Sequence, residues 1–430
     1  MSVLIDLSPL RASAAFRRLW WGLGISNLGS QLTVVVVGLQ VYDITGSTLS
    51  VGVLGLCALV PLVLLGLYGG ALVDRYDRRR VALLASAALW LTSIAFAVQG
   101  WLGHQDVELL YVLVAVQSAC SAVNNPARSA IIPRLVPVAM LPAAHVLQTV
   151  TWNVALTVGP LAGAGLVALA GFGAAYTVDA VLFTAALYAL WRLPDLPPQQ
   201  AGTDAATAPR RSGLASVLEG LSYLATRPNV RMTFVVDLIA MVLAMPRVLF
   251  PAVGVLYLGG GAGTTGLLTA AFAVGAVLAG LLSGNLVGVN QQGRVITAAV
   301  AAFGACVAGF GLVLLLVGPD RPQQPVLWAL LACLLLLAAA GAADAISSVF
   351  RQSILQAATP DSMRGRLQGV FIVVVAGGPR LGDLTLGAAA RWVDEAGAAL
   401  VGGLLCAVAV VLVTRLQARF LDYDARDPRP

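Results

Sequence analysis

Six of the seven residues from Asp74 to Arg80 ("DRYDRRR") carry charge, in a chain where charged residues make up 11% of the total. Carboxylates interleaved with arginines at the end of an apolar run suit one kind of chemistry. They form charge-assisted hydrogen bonds to a helix end or an opposite charge, and these can be made and broken without any covalent step. Gly66 and Gly70, one turn apart on the approach, allow a second helix to come close. The other charges set inside apolar stretches are few: Asp237, Arg247, Arg380 and Asp383, with Asp179 and Asp344 towards the ends of theirs. Inside a membrane each needs a partner or a water-filled cavity. Arg380 and Asp383 stand at i and i+3 and can pair with each other. Asp237 and Arg247 are separated by about 15 Å along a helix and cannot. Pro246 and Pro251 break the helix beside Arg247. Arg247 is therefore expected at a cavity as a substrate contact, with a salt bridge to another span as the alternative. Among uncharged polar residues Gln31 and Asn124 are the leading cavity candidates, alongside Asn27, Gln117, Gln148 and Asn153; helix–helix hydrogen bonding is the competing role for each. Asp179 and Asp344 are expected to reach water from their span ends.

Other chemistries are poorly supported. All 26 basic residues are arginine. A phosphate-cradling Walker A loop needs a lysine, so the chain is not its own ATP-driven motor. His104 and His145 are the only histidines, and the five cysteines stand singly in apolar runs. No metal site, cofactor site or catalytic constellation emerges, and an enzyme is not expected.

The elements that must position these residues are membrane spans. Of 430 residues 59% are hydrophobic, and the mean hydropathy is +0.88. Apolar runs long enough to cross a hydrocarbon core of about 30 Å recur from Leu19 to Leu416. Leu, Val, Ala and Gly composition suits helices rather than the alternating strands of a barrel. Twelve spans are counted, from about 19–42 to 398–416. A Pro/Ala/Gln-rich linker follows the sixth, and "SGLASVLEGLSYLATR" then reads as an amphipathic surface helix with Leu214, Val217, Leu218, Leu221 and Leu224 on one face. With the N-terminus inside, 22 of the 26 arginines fall in or beside cytoplasmic segments, which puts both termini in the cytoplasm. The expected organisation is a six-helix half over 1–192, a cytoplasmic linker over 193–229, a second six-helix half over 230–417 and a tail over 418–430.

The halves echo each other. "GLYGGALV" (66–73) is matched by "GLLSGNLV" (280–287), "ARSAIIPRLVP" (127–137) by "FRQSILQAATP" (350–360), and "GPLAG" (159–163) by "GPRLG" (378–382). Three echoes in order at nearly constant offset indicate a six-plus-six duplication, the plan of secondary transporters with a site between repeats.

On these residues the chain resembles the major facilitator superfamily. Gly70, Asp74, Arg75, Arg78 and Arg79 match the superfamily's loop motif between helices two and three, with Asp77 where that motif has glycine. The resemblance implies an all-α membrane fold of two pseudo-symmetric six-helix halves. It also implies a conformational latch in which Asp74 meets the start of span eleven, near Arg364 and Arg366. "FRRLWWGLGISNLGSQLTVVVVGLQVYDITGS", "NNPARSAIIPRLVP", "YTVDAVLF" and "DLIAMVLAMPRVLFPA" are similar to the branch that contains bacterial enterobactin exporters, with macrolide efflux proteins further off. The resemblance further implies a helix-packing role for Gly159, Pro160 and Gly163 in span five, a motif common in exporters, and a cavity lined by spans one, four, seven and ten. Span four lacks the mid-span arginine of many proton-coupled antiporters. Proton coupling is still the expected energy source, with Asp237 and Asp383 as the leading acids and Arg380 beside them at a gate.

The resulting expectation is a monomeric secondary exporter in the bacterial cytoplasmic membrane. It would move a siderophore-like small molecule against protons within the lipid bilayer, with no nucleic-acid partner. A macrolide or multidrug exporter is the rival, and a non-transporting membrane sensor on the same scaffold is the rival from another class.

Overall fold

Backbone groups inside an apolar run this long find hydrogen-bond partners without water only in a helix. The computed structural model follows that rule. It describes residues 6–194, 214–282 and 289–426; the side chains of 67–75, 214–218 and 282, and much of 361–376, fall outside that description. Ten of the described helical stretches are long and apolar enough to cross a membrane, and two of them, Val138–Trp191 and Gly377–Leu416, run to 54 and 40 residues. The first contains the helix Leu141–Trp191, which turns at Gly171 (φ 80°, ψ −179°), a left-handed backbone that glycine adopts without strain. The second lies in Asp361–Leu416, which turns at Val393 and Asp394 (φ 57° at the latter). Each turn divides its stretch into two passes, so twelve passes are present among the described residues.

We label them α1 (Ala14–Thr45), α2 (Thr48–Arg75), α3 (Arg78–Leu102), α4 (Val107–Ile131), α5 (141–170), α6 (172–191), α7 (Pro228–Leu256), α8 (Gly261–Leu282), α9 (Gln292–Val317), α10 (Leu327–Ala357), α11 (361–392) and α12 (395–416). The expected amphipathic helix is present as Leu214–Thr226. Leu224 is buried whereas Leu221 is exposed, and Leu214, Val217 and Leu218 lie outside the described side chains. The linker residues 195–213 lie outside the described residues.

Local chemistry sets the helix ends. Asp77 is the N-cap of α3, its carboxylate accepting from the Arg80 amide at 2.9 Å. That explains an aspartate where the superfamily motif has glycine: the position starts a helix. Asp106 does the same for α4, accepting from the amides of Glu108 and Leu109. In α7 the helix stops at Ala244, a 3₁₀ turn covers Pro246–Leu249, and helix resumes at Phe250. Pro246 brings no N–H to the ladder, and the resulting break carries Arg247 on the short turn.

The chain groups into two compact units. One comprises Met1–Gln40 and Cys57–Leu214, the other Val41–Leu56 and Ala215–Pro430. The same contact recurs in each. In the first, a Cβ at Gly159 would lie 2.7 Å from the Gln31 Cβ, and one at Gly163 would lie 2.9 Å from the Leu32 carbonyl, so α5 packs backbone-close on α1. In the second, a Cβ at Gly382 would strike the Met241 carbonyl, so α11 packs backbone-close on α7. Pro160 is buried within the α5 contact. The "GPLAG" and "GPRLG" echoes are thus the same helix-approach device used twice.

Within the second unit, the end of α1 and the start of α2 are held on α11. A Cβ at Gly52 would come 2.5 Å from the Asp383 carbonyl, and one at Gly55 2.7 Å from that of Arg380. Thr48 donates to the Glu395 carboxylate at 2.6 Å.

Candidate functional site

The break in α7 leaves Arg247 free of the regular helix surface, and its guanidinium reaches α11. Nε donates to both oxygens of Asp383 at 2.9 and 3.1 Å, and Nη2 donates to Oδ2 at 2.6 Å. The geometry is a fork on a carboxylate, the strongest hydrogen-bonded form of this ion pair. Asp383 is therefore held by an arginine on another span, and the partner expected for it, Arg380 on its own helix, is a neighbour rather than the holder of the fork. Both arginines act electrostatically on this one carboxylate. The Arg247 side chain remains 39% exposed against 11% for Asp383, so one edge of the guanidinium faces open space with donors to offer.

Asp237, on the regular first part of α7, goes elsewhere. Its carboxylate pairs with Arg351 of α10, and Arg351 also lies 3.6 Å from Asp344. The side chains of Arg351 and Asp237 are 9% and 7% exposed, that of Asp344 27%. Arg351 had counted among the cytoplasmic-edge arginines. Instead α10 continues to Ala357 and buries it, which corrects that expectation. The signal was present: Arg351 stands in the echo "FRQSILQAATP" opposite Arg128 of "ARSAIIPRLVP". Arg128 is buried too, but with no carboxylate. It donates to the Ser86 hydroxyl at 3.1 Å and lies over the Phe183 ring at 5.6 Å.

Asp179 also departs from expectation. Rather than reaching water from a span end, it is 1% exposed in the first unit. One oxygen accepts from Thr33 of α1 and Ser93 of α3, each at 2.8 Å. Nearby, Gln40 and Gln99 exchange amide hydrogen bonds at 3.0 Å, and the Tyr176 hydroxyl donates to Gln40 at 2.7 Å. None of these glutamines stood out in sequence, because a single glutamine in an apolar run gives no periodic signal.

Asn124 is buried, accepting from Ser86 at 3.0 Å. This is the helix–helix hydrogen bond that competed with its cavity role. Gln31 is partly buried, its Cβ forming the floor of the Gly159 contact. In the charged loop, Arg79 donates to the carbonyls of Leu190 and Trp191 at 3.3 and 2.6 Å, neutralising the C-terminal end of α6. The Arg78 Nε is buried without a hydrogen bond. Gly70, Asp74 and Arg75, and the Arg364 and Arg366 side chains expected opposite them, lie outside the described side chains.

The comparisons agree with this architecture. The chain is 27% identical to the enterobactin exporter of Citrobacter koseri over 434 residues, covering all of this chain and 98% of that relative. It is 28% identical to the enterobactin exporter of Escherichia coli, covering 97% and 96%. Among solved structures it is similar in fold to a peptide transporter in complex with sulfate (TM-score 0.68, 14% identity, 95% of each chain). It is likewise similar to a nucleoside transporter (TM-score 0.66, 14% identity, 95% of this chain and 99% of that one). The model of the transmembrane secretion effector family matches residues 5–430. With twelve passes, glycine-mediated α1–α5 and α7–α11 contacts and that full-length match, the chain belongs to the transmembrane secretion effector family of the major facilitator superfamily.

Proposed function

We propose that this protein is a secondary active exporter of a siderophore-like catecholate, working by alternating access and driven by protons. The observation that carries the reading is the Arg247–Asp383–Arg380 centre. It is a cation-rich group at a helix break, with guanidinium edge still exposed, in a chain similar along its whole length to enterobactin exporters. A planar guanidinium stacks on an aromatic ring and donates to its oxygens, a match for catechol that an ammonium does not make. Asp383 would set the orientation of Arg247. Asp237, held by Arg351, would serve as a structural counter-ion.

In this reading the protein acts as a monomer in the bacterial cytoplasmic membrane with both termini inside, and Gly70, Asp74, Arg75, Arg78 and Arg79 form its conformational latch. Arg79, bonded to the end of α6, would anchor the latch loop to the first unit.

The test is a deletion strain grown without iron. It should retain metal-free siderophore in the cytoplasm and secrete less. Arg247→Ala should reproduce most of that defect at normal membrane abundance, and Arg247→Lys should fail to restore full secretion. Intact siderophore secretion together with new macrolide sensitivity would establish the drug-efflux alternative instead.

A further inference from the structure

Three acids within the spans of the second unit have an arginine in reach: Asp383 has Arg247, while Asp237 and Asp344 share Arg351. Asp179 has none among the described residues. It is 1% exposed; its Oδ2 takes hydroxyl bonds from Thr33 and Ser93, and its Oδ1 is buried with no hydrogen-bond partner. The helices around it supply no charge at its level. There is no charged residue in α1 between Arg18 and Asp43, none in α3 after Arg80, and none in α5 or α6 other than Asp179 itself. The titratable group facing it is Tyr176, one turn earlier, whose hydroxyl is engaged by Gln40. From α4, Arg128 turns to Ser86 and the Phe183 ring, and Glu108 stands at the opposite helix end.

An ionised carboxylate in such a place has lost its water and gained only two neutral donors, so its charge is costly there. A metal cation is a poorer fit. Oδ1 rests against the α1 backbone at Gly29, where even a Cβ would collide with it. Among the described residues no group of three or more His, Cys, Asp or Glu side chains comes together to hold a metal ion.

We propose that Asp179 is the proton-carrying site of the transport cycle. It holds a proton while occluded as in this structure, and releases it to water on the cytoplasmic side after taking it up from the outer side. The chemistry is a single reversible O–H ionisation, with water as donor and acceptor. Thr33 and Ser93 are positioning residues that stabilise the charged form during exchange. The assignment rests on the proton-driven reading above and adds the group that carries the proton.

The test uses the full-length protein in liposomes, with two independent measurements. Infrared difference spectra between acid and alkaline pH, needing no substrate, should contain a protonated-carboxyl C=O band that is absent from Asp179→Asn. Metal-free enterobactin is then the transport probe. Asp179→Asn should lose tenfold or more of the accumulation driven by a pH gradient. Thr33→Val, by removing a donor to the charged form, should move the pH midpoint of transport upward by about one unit. If Asp179→Asn does not insert, the Thr33→Val midpoint and the wild-type band decide. An unchanged band in Asp179→Asn, full gradient-driven accumulation, an unmoved Thr33→Val midpoint, or drive by a sodium gradient alone would each overturn the assignment. A wild-type protein that shows the Asp179 band but moves no enterobactin would overturn the substrate reading and leave the proton site standing.

Discussion

The three charges joining α7 to α10 make a quantitative test of what the buried polar groups do. Arg351 serves two carboxylates of unequal burial, Asp237 at 7% exposed and Asp344 at 27% and 3.6 Å. Arg351→Met keeps the length of the side chain but leaves a buried carboxylate with no cation, so its cost should reach the full range for breaking a buried pair, about 3–5 kcal/mol. Asp237→Asn leaves Arg351 with Asp344 as a fallback partner, which should hold the loss to about 2 kcal/mol. Asp344→Asn removes the wetter, more distant acid and should cost about 1 kcal/mol or less. The double variant Arg351→Met/Asp237→Leu exchanges the pair for apolar volume. It should recover most of the loss of Arg351→Met, since a paired buried charge is close to neutral against a well-packed isostere. Equilibrium unfolding of the purified protein in mild detergent, with all four variants in one denaturant series, reads the order directly. Asp344→Asn proving as costly as Arg351→Met, or a double variant as unstable as the sum of its singles, would refute the reasoning. A loss of proton coupling in a stable Asp237→Asn would refute its role as a counter-ion.

The glycine contacts predict a paired result. Gly159→Ala and Gly382→Ala should each cost about 1–3 kcal/mol through overpacking and slow transport, while Gly165→Ala, with open space where its Cβ would go, should behave as wild type in the same transport assay. For the latch, Asp74→Asn should leave a folded, inserted protein whose conformational equilibrium shifts by about 1.5–3 kcal/mol, the worth of a charged hydrogen bond. Transport should slow in step, and wild-type transport would reduce the charged loop to a topology anchor.

The spans were legible because a run's length and apolarity are local properties, and local too was the proline break beside Arg247. The glycine echoes were legible as repeats, since backbone-close packing needs the same small residue at the same place in both halves. Partner choice was not local. Arg247 meets Asp383 across 136 positions and Arg351 meets Asp237 across 114. Which of several acids an arginine meets depends on helix rotation, which a one-residue shift changes by about 100°. Arg351 was misplaced because an arginine near a span end ordinarily reports the cytoplasmic boundary, and here α10 continues past it. Asp179 was misplaced because distance along the chain from the Gly171 turn says nothing of what covers that end. Gly29 on α1 and Ser93 on α3 do the covering, and neither is visible from α6 alone.

The division of charge between the units constrains how coupling can work. In the second unit Asp383, Asp237 and Asp344 lie against arginines and the Arg247 side chain stays partly exposed, whereas in the first unit Asp179 has hydroxyl donors. On the proposed reading a proton at Asp179 and a catecholate at Arg247 would bind to different side chains, and neither would displace the other by occupying its ligands. Exchange then cannot be competition for one site. It has to arise because each ligand binds one arrangement of the protein better than the other, and a ligand shifts such an equilibrium only by that differential affinity. Substrate affinity measured with the protein held in a single arrangement should accordingly be independent of the protonation of Asp179. The pH dependence of transport should enter entirely through the step that changes the arrangement.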